Sequence, residues 1–179
     1  MKKIPTVYQR DANDMSSVTD EVNPKCQWVI DGEGVATRKY DGTCVMLDSS
    51  GKWWARREVK AGRPIPPNFQ EEDFDPNTGK RQGWEPMGQS SFAKPHAEAV
   101  SDGLQPGTYE LCGPKINGNP EGYENHRLIA HATAEVVQVV GGIREFVAAL
   151  DYEGLVWHHP DGRMAKLKAR DFKRKEDSK

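Results

Sequence analysis

The chain has 179 residues, of which 36% are hydrophobic and 29% charged, so it can build one sizeable core. Its 25 lysines and arginines against 27 acidic residues give a net charge of −2, which excludes binding to nucleic acid by bulk charge alone. With no apolar run near the ~20 residues that cross a bilayer, no visible signal segment and three scattered cysteines, we expect a cytoplasmic protein without a membrane partner.

The first half of the chain predicts an antiparallel hairpin. Residues 35–40 and 43–47 are rich in β-forming residues, 48–51 form a turn cluster, and 52–57 are expected to be the returning strand. Residues 60–90 contain five prolines, which remove backbone donors and fix φ. We therefore expect an irregular insertion over 60–90.

Short strands and helices are expected in the second half. Apolar residues at i, i+3, i+4 and i+7 predict a helix over 142–150. The Pro-Asp-Gly sequence at 160–162 is typical of a hairpin turn, so the flanking strands should pair. The other predicted elements are a helix at 91–100, strands at 108–112, 128–130, 154–157 and 164–168, a loop at 113–124 and a charged tail at 169–179. This pattern favours an α+β fold with mainly antiparallel strands, as a single domain over 1–179.

Lys39-Tyr40-Asp41-Gly42 ends the first predicted strand and is the first candidate for chemistry. Lys39 could be a nucleophile if desolvation or a neighbouring cation lowers the pKa of its amine. Asp41 could orient that amine, and Gly42 would let the backbone turn sharply. The alternative is a solvent-facing lysine beside an Asp-Gly turn.

The second candidate lies in the predicted hairpin near the C-terminus. Because side chains alternate along a strand, Lys166 and Lys168 share one face, and Glu153 precedes the partner strand. One carboxylate and two ammonium groups would suit a metal-bound triphosphate. The alternative is an exposed polar face with a cross-strand ion pair.

The order of these short patterns resembles the motifs of the covalent nucleotidyltransferases, which comprise ATP-dependent DNA and RNA ligases and mRNA-capping guanylyltransferases. The motifs are Lys39 to Gly42, Arg56-Arg57, Glu110 within a strand, Glu153 to Val156, and Lys166 with Lys168. The sequence is most similar to the compact 5′→3′ RNA ligase family that includes the vertebrate 5′→3′ RNA ligase. The similar segments are 3–7, 39–44, 110–120 and 153–157.

This resemblance implies a nucleotidyltransferase domain of two mainly antiparallel sheets flanked by helices, without an appended OB-fold. It also implies an RNA-repair reaction that uses ATP and Mg²⁺ or Mn²⁺. Lys39 would form a lysyl-AMP intermediate, the AMP would pass to a 5′-phosphate end of RNA, and a 3′-hydroxyl end would displace it.

The resemblance also implies roles for other residues. Arg56 or Arg57 would contact phosphate, Glu110 would lie near the ribose, and Glu153 would hold the metal ion. Lys166 and Lys168 would contact the α-phosphate, with Asp41 and Gly42 beside the nucleotide. Thr37 occupies the position at which many relatives have a glutamate that reads adenine.

Two alternatives remain open at this point. The chain could be a non-catalytic module of the same fold that binds nucleotides or RNA ends. It could also act as a DNA ligase, or as a guanylyltransferase, since Thr37 departs from the pattern that selects adenine over guanine.

Overall fold

The computed structural model describes residues 2–172, within which the chain divides into two compact units. One unit is built from Asp41–Thr133 together with residues 2–3, and the other from Ile4–Tyr40 and the described residues from 134 to 172. Each unit has its own apolar core. The single domain expected over 1–179 stays a prediction, and residues 173–179 of the predicted tail lie outside the described residues.

The secondary structure confirms an α+β class with mainly antiparallel strands. The strands are β1 Tyr8–Arg10, β2 Val18–Val22, β3 Val35–Lys39, β4 Thr43–Leu47, β5 Trp53–Val59, β6 Gln70–Asp75, β7 Lys80–Pro86, β8 Gly107–Cys112, β9 Arg127–Ala130, β10 Gly154–His158 and β11 Met164–Lys168. The α-helices are α1 Gln27–Ile30, α2 Ala93–Ala99 and α3 Ile143–Ala148, and 3₁₀ turns lie at Pro24–Cys26, Met87–Gln89, His131–Thr133 and Ala169–Phe172.

A three-stranded sheet in the order β11-β10-β3 carries the core of the second unit. Both pairings are antiparallel, which confirms the hairpin predicted around residues 160–162. Leu155, Trp157 and Leu167 are buried on one face of this sheet. Since side chains alternate along each strand, the residues between them project from the opposite face.

The other unit contains a six-stranded antiparallel sheet in the order β6-β7-β5-β4-β8-β9. The predicted hairpin of residues 35–57 is confirmed in its second part, where β4 pairs with β5. Val45, Ala55, Tyr109 and Leu111 are buried on the core face of this sheet. The opposite face carries Glu110, which lies across from Cys44.

The expectation of an irregular insertion over residues 60–90 is wrong for its second half, which forms the β6–β7 hairpin. Pro76 lies in the turn of this hairpin and Pro86 is the last residue of β7, so neither interrupts the ladder. Pro64, Pro66 and Pro67 all precede β6. Because β6 is an exposed edge strand, it needs no apolar alternation, which is why its acidic sequence suggested a loop.

A third, two-stranded sheet, β1–β2, was not expected from the sequence. The resemblance implies two sheets, whereas residues 2–172 form three. None of the helices within these residues combines the length and the apolar character that crossing a membrane requires.

The close contact between β6 and β7 gives a test of this architecture. A Cβ atom at Gly83 would lie 2.1 Å from the carbonyl oxygen of Gln70, which is part of the backbone and cannot turn away. We expect Gly83→Ala to lower the free energy of unfolding by about 1–3 kcal/mol, as measured by urea denaturation. Gly88→Ala is the control, because a Cβ atom there meets nothing within 4 Å. Equal stability of the two variants would contradict the β6–β7 pairing.

Candidate functional site

Three lysines project from the face of the three-stranded sheet that lies opposite the core. Gly154 on the central strand pairs with Lys39 on one side and with Lys168 on the other. Lys166 lies two residues before Lys168 on β11, so its side chain projects from the same face. We call this surface, defined by Thr37, Lys39, Lys166, Lys168 and His158, the lysine face.

A buried carboxylate joins two of these lysines. The Nζ atom of Lys39 lies 2.6 Å from Oε2 of Glu153, and Nζ of Lys168 lies 2.6 Å from Oε1. The Arg170 guanidinium is 3.8 Å from the same Oε1 atom. The Glu153 side chain is only 5% exposed. The sequence predicted that Glu153 meets Lys166 and Lys168, and the Lys168 contact is present. The second ammonium group at Glu153 is that of Lys39, while Lys166 shares only the sheet face.

The net electrostatic effect on Glu153 favours its ionised form. Burial alone would raise the pKa of this carboxyl, but the charge of Lys39 and hydrogen bonds from Lys168 and Lys39 outweigh burial and lower the pKa. Glu153 therefore remains a carboxylate at neutral pH.

Gly154 makes this cluster sterically possible. Its φ is +151°, and a Cβ atom there would lie 2.1 Å from the carbonyl oxygen of Leu167. The backbone of β10 can thus approach β11 immediately after Glu153. At the same point, the carbonyl oxygen of Glu153 accepts a hydrogen bond from the amide of Ala169. The glycine is required by space as well as by backbone conformation.

Thr37 is buried on the lysine face, and its hydroxyl has partners within the sheet. The hydroxyl donates to the carbonyl oxygen of Val156 at 3.2 Å and lies 3.0 Å from Nε2 of His158. His158 was not among the candidate site residues from the sequence. Its position beside Thr37 follows from the β3–β10 register, which the sequence does not specify.

In the other unit, side chains from distant segments hold the Asp41–Gly42 backbone. The amide of Asp41 donates to Oε1 of Glu121 at 2.8 Å, and the amide of Gly42 donates to Oε1 of Glu110 at 3.2 Å. Nδ2 of Asn117 donates to Oδ1 of Asp41 at 3.1 Å and to the carbonyl oxygen of Gly42 at 2.9 Å. The carboxylate of Asp41 thus has an amide partner from Asn117.

Gly42 is needed for close packing. A Cβ atom at this residue would lie 2.3 Å from the carbonyl oxygen of Leu111 and 2.8 Å from Sγ of Cys112. Its φ does not fall in the left-handed region that favours glycine. The reason expected from the sequence, a sharp turn, is therefore replaced by the close approach of β8.

Glu110 is a buried carboxylate with both oxygens engaged. While Oε1 accepts the Gly42 amide, Oε2 lies 2.9 Å from Nε2 of His131. The Nδ1 atom of the same imidazole is 2.9 Å from Oγ1 of Thr108, which projects from the same face of β8 as Glu110. His131 therefore bridges two side chains of one strand.

Arg56 and Arg57 project from opposite faces of the six-stranded sheet. Val45 pairs with Ala55, and Cys44 pairs with Glu110, so Arg56 shares the face of Glu110. Arg57 lies on the other face, where its Nη1 atom is 3.9 Å from Oε1 of Glu85. Of the two arginines proposed from the sequence, Arg56 therefore shares a sheet face with the candidate residue Glu110, and Arg57 does not.

Few side chains of the candidate site could ligate a metal ion. Among residues 2–172, no group of three or more histidine, cysteine, aspartate or glutamate side chains is arranged to hold a metal. On the lysine face the available carboxylate is Glu153, whose oxygens both contact lysine ammonium groups. Mg²⁺ is commonly held by one or two carboxylates together with phosphate oxygens. Glu153 could therefore contribute at most one carboxylate to a metal ion, with the remaining ligands supplied from outside the protein.

The sequence matches none of the protein-family models and none of the curated proteins with which it was compared. The candidate site is therefore defined by its geometry. Lys39, Glu153 and Lys168 form the ion cluster, and Lys166 and Thr37 share its sheet face. The other candidates, Asp41, Gly42, Glu110 and Arg56, belong to the unit with the six-stranded sheet, and Arg57 lies on the opposite face of that sheet from Arg56.

Loss of the Glu153 charge should destabilise the protein in a pH-dependent way. Glu153→Gln leaves two lysines without their carboxylate, so we expect a loss of about 3–5 kcal/mol in the free energy of unfolding at pH 7. Because folding lowers the pKa of Glu153, its stabilising effect is complete above the unfolded-state pKa of about 4.3 and is lost as the pH falls through the lower folded-state pKa.

The difference between wild type and Glu153→Gln should therefore shrink below about pH 4, in urea titrations at a series of pH values. Glu21→Gln is the control, because this carboxylate is exposed on β2 and its replacement should change stability by less than about 0.5 kcal/mol. A Glu153→Gln variant as stable as Glu21→Gln at pH 7 would contradict the ion cluster.

Proposed function

We propose that the protein is an ATP-dependent RNA ligase of the covalent nucleotidyltransferase type, with Lys39 as the residue that carries AMP. The observation that supports this proposal best is the ion cluster of Lys39, Glu153 and Lys168. It combines a primary amine, a carboxylate and a second cation in a partly buried setting. These are the groups required to attack a phosphorus atom and to neutralise the charge that develops there.

The first step requires Lys39 to lose a proton. An ammonium group has no lone pair, and the ion pair with Glu153 favours the ammonium form. In the proposed mechanism, the triphosphate binds Lys168 and draws its charge away from Oε1 of Glu153. Phosphate oxygens then compete with Glu153 for the Lys39 ammonium group, which lies 2.6 Å from Oε2, and one of them accepts its proton while Glu153 stays ionised.

The amine of Lys39 then attacks the α-phosphorus of ATP. A P–N bond forms, the bond from the α-phosphorus to the bridging oxygen breaks, and pyrophosphate leaves, taking up the second proton that the nitrogen gives up. Lys166 and Lys168 offset the negative charge on the α-phosphate oxygens during this step. Glu153 would hold Mg²⁺ together with the nucleotide phosphates, and the ion would supply further neutralisation of phosphate charge.

Two transfers complete the proposed reaction. An oxygen of an RNA 5′-phosphate attacks the phosphorus of the bound AMP, the P–N bond breaks, and AMP becomes linked to the RNA end through a pyrophosphate bond. A 3′-hydroxyl then attacks the 5′-phosphate, loses its proton and releases AMP. The choice of RNA and ATP, and the nucleotidyltransferase type of fold, rest on the sequence segments given above; the antiparallel α+β class is compatible with that fold.

Covalent labelling tests the assignment of Lys39. The protein is incubated with Mg²⁺ and ATP labelled either at the α-phosphate or at the γ-phosphate, and is then run on a denaturing gel. We expect label from the α-phosphate alone, because a phosphoramidate retains AMP and releases pyrophosphate. The label should be acid-labile, should be removed by added pyrophosphate and should be absent from Lys39→Ala.

The matched control for this experiment is Lys60→Ala, which removes an exposed lysine of the other unit and should label like wild type. Labelling of Lys39→Ala would overturn the choice of nucleophile. Absence of label in wild type, with ATP still bound, would favour a binding module, and GTP in place of ATP would identify a guanylyltransferase. Nicked RNA and nicked DNA then separate the two classes of ligase.

Arg56 and Arg57 offer a matched pair for the phosphate contact. We expect Arg56→Ala to slow formation of lysyl-AMP by about tenfold or more, because an arginine that binds phosphate stabilises the transition state. Arg57→Ala should have a smaller effect, since Arg57 faces Glu85 on the other side of the sheet. Single-turnover labelling of both variants measures this difference. A larger effect of Arg57→Ala would exclude Arg56 as the phosphate ligand.

A further inference from the structure

The 3₁₀ turn Ala169–Phe172, which directly follows β11, brings a further cation to the ion cluster. The guanidinium of Arg170 lies 3.8 Å from Oε1 of Glu153, the carboxylate oxygen that Lys168 contacts at 2.6 Å. The Arg170 side chain is 64% exposed, whereas that of Lys168 is 15% exposed. Because 3.8 Å is too long for a hydrogen bond, Arg170 is attracted to Glu153 by charge and stays accessible to a ligand from solvent.

The backbone on both sides of Arg170 is fixed within the same compact unit. On one side, the amide of Ala169 donates to the carbonyl oxygen of the cluster's glutamate at 3.0 Å. On the other side, the buried Asp171 accepts the amide of Lys168 at 2.9 Å and the Nη1 atom of Arg10 at 2.7 Å. The turn therefore holds the guanidinium at the edge of the cluster, although the side chain itself is exposed.

The carboxylate of Glu153 separates the proposed nucleophile from the other cations. Lys39 contacts Oε2, whereas Lys168 and Arg170 approach Oε1. Displacement at phosphorus is roughly in line, so the leaving group departs on the side opposite the incoming amine. With the α-phosphate at the amine of Lys39, the β- and γ-phosphates extend toward the Oε1 side of the cluster, where Arg170 lies.

We propose that Arg170 binds the β- and γ-phosphates of the nucleotide and the pyrophosphate that they become. This inference rests on the proposed function. The planar guanidinium presents its N–H donors as a fork that matches phosphate oxygens. When the bond from the α-phosphorus breaks, its electron pair stays on the bridging oxygen, and Arg170 offsets the negative charge that the pyrophosphate gains there.

Three ligands distinguish this role from general attraction by the cluster. Inorganic pyrophosphate contains only the leaving part, and AMP contains only the α-phosphate. The ATP analogue with a methylene group in place of the α,β-bridging oxygen contains both parts and cannot release pyrophosphate. Titration calorimetry with Mg²⁺ present measures the affinity of the full chain for each.

We expect Arg170→Gln to weaken the binding of pyrophosphate and of the methylene analogue by about tenfold, because a charge-assisted contact to phosphate is lost. The affinity for AMP should change by less than about twofold, since Lys166 and Lys168 remain. Arg170→Lys keeps the charge and loses the fork, so its affinity for pyrophosphate should lie between those of wild type and Arg170→Gln.

The matched control is Arg163→Gln, which removes the same charge from the far end of the β10–β11 hairpin. Arg163 is 49% exposed, and its Nε atom lies 2.7 Å from Oδ2 of Asp161. Four residues of strand, at about 3.4 Å each, separate that end of the ladder from Lys168. This variant should bind all three ligands like wild type. Both arginines are exposed, so the denaturation midpoints should stay close to that of wild type.

The reverse reaction gives a second readout. Added pyrophosphate attacks lysyl-AMP and regenerates ATP, so the rate at which label is lost depends on the pyrophosphate concentration. We expect the half-saturating concentration to rise about tenfold in Arg170→Gln and to stay within about twofold of wild type in Arg163→Gln.

Equal affinities of Arg170→Gln and Arg163→Gln for pyrophosphate would overturn the proposal. If both variants also form lysyl-AMP like wild type, the proposed function stands and only this inference fails. Equal losses for AMP and pyrophosphate would overturn the proposal as well, in favour of general attraction by the cluster. If the methylene analogue binds through Arg170 but wild type forms no lysyl-AMP, the proposed function fails and the contact of Arg170 with the terminal phosphates stands.

Discussion

Removing a carboxylate from water costs several kcal/mol unless cations and hydrogen bonds replace the lost hydration, and Glu153 meets that condition with two ammonium groups. The register of the three-stranded sheet brings the three groups together, because Lys39 and Lys168 both lie opposite Gly154. A shift of β11 by one residue would place Leu167 in the position of Lys168 and bury a lysine in the core. The buried face, with Leu155 and Leu167, therefore determines which charges meet on the opposite face.

Two glycines complete this arrangement at points where side chains would not fit. Gly154 follows Glu153 and lets β10 approach β11, and Gly42 follows Asp41 and lets the chain approach Leu111. In both places the acidic residue before the glycine has a defined partner, a lysine ammonium for Glu153 and an asparagine amide for Asp41. The Asp-Gly and Glu-Gly pairs of the sequence thus have a steric explanation that is independent of any reaction.

The sequence predicted those parts that depend on local periodicity. Alternation placed Lys166 and Lys168 on one face, and turn residues located the hairpin that carries them. The β6–β7 hairpin was missed, because an exposed edge strand needs no apolar pattern. The partners of Glu110 and Asp41 could not be predicted either: His131 and Glu121 lie 21 and 80 residues away, and no local rule connects them. The choice between Arg56 and Arg57 likewise required the register of β4 and β5.

The ion cluster gathers several positive charges around one carboxylate. Two lysines contact Glu153 and Arg170 lies 3.8 Å from it, so a single carboxylate joins several cations, as in buried structural triads. Lys166 adds a further positive charge to the same sheet face. The chain as a whole carries a net charge of −2, so this local excess of positive charge is not a consequence of composition. Glu153 offsets the repulsion between the lysines that contact it, and a sheet face of this charge is suited to bind an anion, which is the property on which the proposed reaction depends.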